Sequence, residues 1–405
     1  MSCTFCPLPW THLSTHPIGE VSLCCIADHT NSLGSAKNHN DSQTLSLNNT
    51  DINSIINSDS FKEARLKMLN GERPKACMVC YKNEDKKALS RRQEEVDKKM
   101  FTIEDAKSIT LPDGEIPVTL QNLELRLGNK CNLKCTTCNP ASSSSWTKEY
   151  REISADKDIK LGVDYSELKE EMFSWPEREN FWVDIAKYSK DINFININGG
   201  EPMLYPKQSY FLKYLIDNNL SKNITLEYNI NLSTISEEII SHWKHFKKVI
   251  IKCSIDDIDR RNEFIRYPLK WDKTVSNFKR IIDLDVEVYI LQTLSIYNFL
   301  TFEEVYTTLK KLRKDIIYSI NLVTEPFFLS PLSLPPSERK KKMKEVFGLI
   351  PDKQYSRLIK QFYNNEHEAS HLRMFQRYNS ILIKNRKNNF DEDFKKLSSI
   401  LDQYL

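Results

Sequence analysis

Residues 120–140 read LQNLELRLGNKCNLKCTTCNP. The first half alternates leucine with polar side chains at a period of two, the pattern of a strand with one face covered. The second half sets Cys131, Cys135 and Cys138 within eight positions. Such spacing would also place three small apolar residues on one helical face. Asn132, the Thr136-Thr137 pair and Asn139-Pro140 make a poor helix interior, however, so the thiols read as a loop leaving a strand. Thiolates at this density suit zinc or an iron-sulfur cluster, both of which select soft ligands. A closed structural metal site takes four ligands, and three leave one coordination position open for substrate or cofactor.

The rest of the chain sets the frame for that loop. It has 405 residues, 40% hydrophobic and 28% charged, which are globular values and imply two or three domains or one large α/β barrel with additions. Fifty-eight basic residues against 55 acidic give a net charge of only +3, so nucleic acid is not an expected partner. No apolar run approaches the roughly 20 residues that span a bilayer, and no secretory pattern opens the chain, so a cytoplasmic protein with no membrane association is expected. Ten cysteines in that compartment stay reduced, and clustered ones read as metal ligands.

From about residue 120, short apolar runs alternate with amphipathic stretches. Strands are expected at 120–127, 192–198, 224–231, 249–256, 286–293 and 316–323. The intervening segments KQSYFLKYLIDNN, TISEEIISHWKHF, DKTVSNFKRIID and TFEEVYTTLKKLRK carry apolar residues at three- and four-residue spacing, as helices do. Six alternations imply parallel βα units in a doubly wound sheet or a barrel, with any site at the C-terminal strand ends. Cys253, inside VIIKCSID, reads as a packed strand residue and not a fourth ligand. Beyond PLSLPPSE the chain turns helical and polar, and RKKKMK (339–344) reads as a solvated helix face. No solenoid repeat is present.

NINGGEP (196–202) places two of the chain's nine glycines side by side at the end of a strand. Glycine there lets a ligand approach the backbone closely, and a plain strand-to-helix turn is the structural alternative. At this point the pattern resembles the radical S-adenosylmethionine (SAM) superfamily, whose cluster-binding loop carries CxxxCxxC after the first strand of a partial (β/α)6 TIM-type barrel. The resemblance implies that Cys131, Cys135 and Cys138 hold a 4Fe-4S cluster and that SAM occupies its open position. It further implies that Gly199, Gly200, Glu201 and Pro202 bind the SAM amino group. Asn231 in YNINLST and Ser254 and Asp256 in CSIDD match later strand-end positions of the family, and Arg266 in EFIRYP is placed to pair with the SAM carboxylate. Thr137, where the family commonly has an aromatic or apolar residue, departs from the pattern.

The first 90 residues hold six cysteines and a polar stretch, SLGSAKNHNDSQTLSLNNTD, too little to build much core without a metal staple. CTFCPLPWTHLSTHPIGEVSLCC with SFKEARLKMLNGERPKACMVCYK resembles the SPASM or twitch auxiliary-cluster domains of radical SAM enzymes. On that resemblance Cys6, Cys24, Cys77 and Cys80 ligate one auxiliary iron-sulfur cluster of 4Fe-4S type, with Cys3 and Cys25 as spares. Zinc in the same thiols is the competing reading, because thiolate count alone does not separate the metals. His12 and His16 read as ordinary loop histidines. Such a domain usually follows the barrel in this family, and here it precedes it.

The expected organisation is therefore a SPASM/twitch-like domain at 1–92, a charged linker at 93–118, a radical SAM partial barrel at 119–325 and a helical extension at 326–405. The resemblance implies reductive cleavage of SAM to a 5′-deoxyadenosyl radical and hydrogen abstraction from a peptide or small-metabolite substrate, with electrons from a flavodoxin- or ferredoxin-type donor. An auxiliary cluster points to an oxidative outcome, dehydrogenation or cross-linking. A redox-neutral epimerase or isomerase and a non-catalytic zinc or iron-sulfur module are the alternatives.

Overall fold

A computed structural model describes residues 4–28, 33–39, 43–349 and 369–405. Cys3 lies outside them. Eight strands, β1 (His12–Thr15), β2 (Val21–Ser22), β3 (Asn122–Arg126), β4 (Phe194–Asn198), β5 (Thr225–Ile230), β6 (Lys248–Ser254), β7 (Glu287–Leu294) and β8 (Ile317–Leu322), follow the order β2-β1-β3-β4-β5-β6-β7-β8 in one sheet. β1-β3, β3-β4, β4-β5, β6-β7 and β7-β8 pair in parallel, and only β1-β2 is antiparallel among the pairings described. β3 to β8 fall on the six expected runs and alternate with helices, the topology of a partial (β/α) barrel. β1 and β2 were not anticipated. They are four and two residues long, below the length at which periodicity is readable, yet His12 to Ser14 pair with Asn122 to Glu124.

The chain divides into two compact units. The first comprises residues 1–130, 169–228 and 236–249. Its strands alternate in burial: Leu123 and Leu125 are fully buried on one face of β3, while Glu124 and Arg126 on the other are half-buried. That second face is polar on β4 and β5 as well. Asn196 donates to Glu227 at 2.5 Å and accepts from Asn198. Helix Gln208–Asp217 in the same unit buries Phe211, Leu212 and Leu215. The Cys-rich N-terminal segment is held by Arg65, fully buried, whose guanidinium donates to the carbonyls of Pro9 at 3.1 Å, Gly114 at 2.7 Å and Ile56. Burial pulls Arg65 down to about 10, which still leaves it charged at neutral pH. The stretch expected to be polar loop forms short bridges, Ser22 to Ser35, Glu20 to Ser46 and Lys37 to Thr44. The connector is ordered: helices Arg91–Asp97 and Ile103–Ile109 each begin with a capping box, at Ser90/Gln93 and Thr102/Asp105.

The second unit comprises residues 131–168, 229–235 and 250–405. β6 and β7 alternate in the same way, with Ile251 and Cys253 fully buried and Lys252 and Ser254 half-buried. Cys253 is the packed strand residue that its apolar setting implies. Helices Trp271–Ile282 and Phe302–Leu312 bury residues at three- and four-residue spacing. The extension supplies helices Pro336–Leu349, Ala369–Arg386, Phe390–Asp393 and Lys395–Tyr404. Phe375, Phe390 and Phe394 join Phe264 and Tyr297 in one aromatic cluster. Each such side chain contributes about 1.5–3 kcal/mol by leaving water. The basic run at 339–344 is only in part a solvated face. Lys340, Lys341 and Lys344 are exposed, but Arg339 is buried and donates to the Leu332 carbonyl at 2.6 Å. A guanidinium on a long stem reaches a backbone oxygen that charge patterning does not reveal. Among the described residues no helix is long and apolar enough to cross a membrane.

Candidate cluster and cofactor sites

In the first unit, Cys6, Cys24, Cys77 and Cys80 come from four places. Cys6 precedes the short helix Leu8–Thr11, Cys24 follows β2, Cys77 ends a 3-10 turn and Cys80 lies in helix Met78–Asp85. They are near enough to perturb one another. Burial pushes the Cys6 thiol far above its ordinary value, and Cys24, Cys77 and Cys80 each push it further. Burial, then Cys25 and Cys80, bring Cys24 up to about 12, and burial, Cys24 and Cys80 also raise Cys77. Cys6 and Cys80 are buried and Cys24 and Cys77 half-buried, and neighbouring thiols that resist ionisation fit a metal centre that binds thiolates and displaces their protons. Among the described residues no three or more His, Cys, Asp or Glu side chains converge on a single ion.

Cys25 faces other neighbours. Arg91 donates to its sulfur at 3.5 Å, and burial followed by Glu124 raises it to about 11. His12 is the first residue of β1 and not a loop residue, whereas His16 follows the strand on irregular backbone, as expected. His12 is buried 3.8 Å from Glu124, but burial pulls its ring down to about 3 and keeps it neutral, so this contact is not an ion pair. His16 Nε2 sits 3.1 Å from the Ser22 hydroxyl.

The GGEP turn belongs to this unit. Gly199 and Gly200 have φ of +86° and +50°, the left-handed region. Close approach is required there, though to protein and not only to a ligand. A Cβ on Gly199 would meet Arg126 C and Leu127 N at 2.7 Å, and one on Gly200 would meet the Lys130 carbonyl. The Glu201 amide donates to that same carbonyl at 2.9 Å. The Glu201 carboxylate is fully buried and accepts from Met203 N at 3.2 Å, capping the turn Pro202–Leu204, where Pro202 is also buried.

In the second unit, Cys131, Cys135 and Cys138 lie on irregular backbone, not on a helix. Burial pushes Cys138 up and its neighbours Cys135 and Cys131 add to this. Cys135 is raised by burial, against the pull of Arg266. Asn231, the first residue after β5, donates to the Cys131 sulfur at 3.7 Å and to Asn132 Oδ1 at 3.3 Å. Ser254 ends β6, and Asp256 follows two residues later. Arg266, at the end of helix Asp259–Ile265, donates to Asp256 at 2.8 Å, both side chains being buried. Burial lowers Arg266, but Cys135 and Asp256 together more than reverse this. Asp256 engages one nitrogen of the guanidinium, Nη1. Arg266 Nε has no hydrogen-bond partner among the described residues. A buried donor left over beside three thiols fits a site that receives a bound group.

The loop is shaped by residues that sequence reasoning passed over. Trp146 Nε1 donates to the Cys135 carbonyl at 2.9 Å, Ser145 to that of Cys131 at 2.7 Å and Ser143 to that of Leu133 at 2.6 Å. Tyr378 donates to Thr136 O at 2.7 Å and Arg386 to Lys134 O at 2.8 Å, each from more than 240 positions away. The SSSSW run following the loop is the one local signal that could have pointed to part of this set.

Residues 125–312 match the model of the radical SAM superfamily, and residues 6–81 match the SPASM iron-sulfur cluster-binding domain. Their order, cluster domain before barrel, is the one expected from the sequence. The radical SAM domain implies SAM and a 4Fe-4S cluster, and the SPASM domain an auxiliary iron-sulfur cluster. No curated protein matches the chain. Similar solved structures include a histidine-tagged anSMEcpe with bound AdoMet, 19% identical with a TM-score of 0.40 and covering 57% of this chain and 57% of that one. Streptococcus suis SuiB bound to S-adenosylmethionine is 12% identical with a TM-score of 0.36, covering 72% and 63%. The chain thus spans less than two thirds of the length of these proteins.

Proposed function

Because the chain belongs to the radical SAM superfamily, with a SPASM cluster domain N-terminal to the barrel, we propose that it is an oxidative radical SAM enzyme acting on a peptide or a small metabolite. The observation that carries this reading is the pair of family matches: Cys131, Cys135 and Cys138 lie within the radical SAM match at 125–312, and Cys6, Cys24, Cys77 and Cys80 within the cluster-binding match at 6–81. Cys131, Cys135 and Cys138 hold a 4Fe-4S cluster with one position left for SAM. Asn231 orients the first of them by its bond to the sulfur. The GGEP turn and Glu201 receive the SAM amino group. Ser254, Asp256 and Arg266 receive its ribose and carboxylate, with Asp256 holding Arg266 in place and Arg266 Nε as the spare donor. With SAM bound, such a cluster supplies an electron for cleavage to methionine and a 5′-deoxyadenosyl radical, the agent of hydrogen abstraction. Cys6, Cys24, Cys77 and Cys80 would hold the auxiliary cluster, which would supply an acceptor for the second electron of an oxidative outcome. A flavodoxin- or ferredoxin-type protein supplies the first.

The test is anaerobic reconstitution with iron and sulfide, followed by dithionite and SAM. Formation of 5′-deoxyadenosine, abolished in Cys131→Ala/Cys135→Ala while the N-terminal metal is kept, is expected. Retention of zinc with no SAM cleavage refutes the reading. Solvent deuterium entering product without oxidised product moves the enzyme to the redox-neutral class.

A further inference from the structure

The C-terminal extension has no part in the function proposed above, yet its helix Ala369–Arg386 ends on the cysteine loop. Arg386 is fully enclosed as a side chain. It donates to Phe264 O at 2.5 Å and Lys134 O at 2.8 Å, and its guanidinium lies 5.4 Å from the ring centroids of Phe264 and Tyr267 and 5.8 Å from that of Trp146. About two helical turns earlier, Tyr378 bonds Thr136 O. The carbonyls on both sides of Cys135 are therefore held by this one helix. Glu149, buried on the helix after the loop, stands 3.2 Å from Lys134 Nζ and 3.6 Å from Arg386 Nη2. Lys134, Glu149 and Arg386 sum to one positive charge. Arg266 contributes none, because Asp256 neutralises it.

We propose that Arg386 and Tyr378 are positioning residues for the Cys131–Cys138 loop, and that Arg386 also supplies the net positive charge that favours the reduced state of the cluster bound there. This rests on the proposed function and goes beyond it. Reduction adds an electron to an anionic, thiolate-bound centre, and a fixed buried cation stabilises the added charge more than it stabilises the oxidised state. The guanidinium suits the position better than an ammonium, because its planar fork reaches two carbonyls while it lies within 6 Å of three ring centroids.

The experiment compares reconstituted full-length wild type with Arg386→Met, Arg386→Lys and Tyr378→Phe, reading iron and sulfide content and the midpoint potential of each cluster by EPR-monitored titration. In Arg386→Met the reduced-to-oxidised ratio at fixed potential is expected to fall about tenfold, or about 59 mV for one electron. Arg386→Lys is expected to recover most of this, and the N-terminal cluster to stay unchanged. Tyr378→Phe keeps the potential but loses iron from the triad faster to a chelator. Loss of the triad's cluster alone in Arg386→Met, restored in Arg386→Lys, also supports the assignment. An unchanged potential and iron content in Arg386→Met, equal shifts in the Met and Lys variants, or loss of both clusters together overturns it while leaving the proposed function standing. A wild type that binds no SAM-responsive cluster overturns both.

Discussion

Replacing Gly200 by alanine tests how the turn after β4 is held, and Gly162 provides the comparison. Both have positive φ, +50° and +81°, but a Cβ at Gly162 meets nothing within 4 Å. Gly162→Ala therefore isolates the conformational cost, about 1–2 kcal/mol. At Gly200 the added carbon meets the Lys130 carbonyl oxygen, with Asn129 C and Lys130 C at 3.0 Å. These are backbone atoms and cannot rotate aside, so overpacking adds about 1–3 kcal/mol. The total is about 2–5 kcal/mol. At about 2–4 °C per kcal/mol for domains of 150–250 residues, the melting temperature falls by roughly 4–20 °C. Gly199→Ala behaves alike, since Arg126 C and Leu127 N stand at 2.7 Å. Thermal unfolding of the three variants, followed by tryptophan fluorescence, measures the differences. Equal losses in Gly162→Ala and Gly200→Ala would refute the close packing of the turn.

Three further outcomes follow from the same geometry. His12, held neutral with its value drawn down to about 3 by burial, binds its proton only in the unfolded chain between that value and 6.5. Stability is therefore full above pH 6.5 and falls as pH drops, by about 2 kcal/mol between pH 6.5 and 5. Urea unfolding of His12→Gln should lack that slope, and an unaltered slope would show that another group is responsible. Arg65→Met strands the carbonyls of Pro9, Ile56 and Gly114 and should cost about 3 kcal/mol in denaturant unfolding, whereas a loss below about 1 kcal/mol would contradict the contacts. Trp146→Phe removes the bond to the Cys135 carbonyl, worth about 1 kcal/mol, and should hasten chelation of iron from the triad but not from the N-terminal set.

Much of the fold was legible because its signals are local. β3 to β8 announced themselves by apolar runs, and the helices between them by three- and four-residue spacing, since one covered face is enough to impose a period. β1 and β2 did not, because His12–Thr15 and Val21–Ser22 owe their extended form to pairing and not to a pattern of their own. The glycines of GGEP were rightly singled out, but their close approach is in the first place to the backbone of residues 126–130, a partner some 70 positions away.

Cysteine spacing, glycine placement and the order of apolar runs are properties of neighbours in the chain, and they identified the thiol sets, the barrel topology and the cluster domain ahead of it. Which thiols influence one another, Cys24, Cys77 and Cys80 acting on Cys6 while Arg91 donates to Cys25, depends on contacts between distant segments. So does the engagement of Arg266 by Asp256, and so does the grip of Tyr378 and Arg386 on the carbonyls of Thr136 and Lys134. A carbonyl oxygen carries no residue identity, so no sequence pattern marks which side chain will reach it. Folding alone selects the donor, because a buried backbone oxygen without a partner costs about 1–3 kcal/mol.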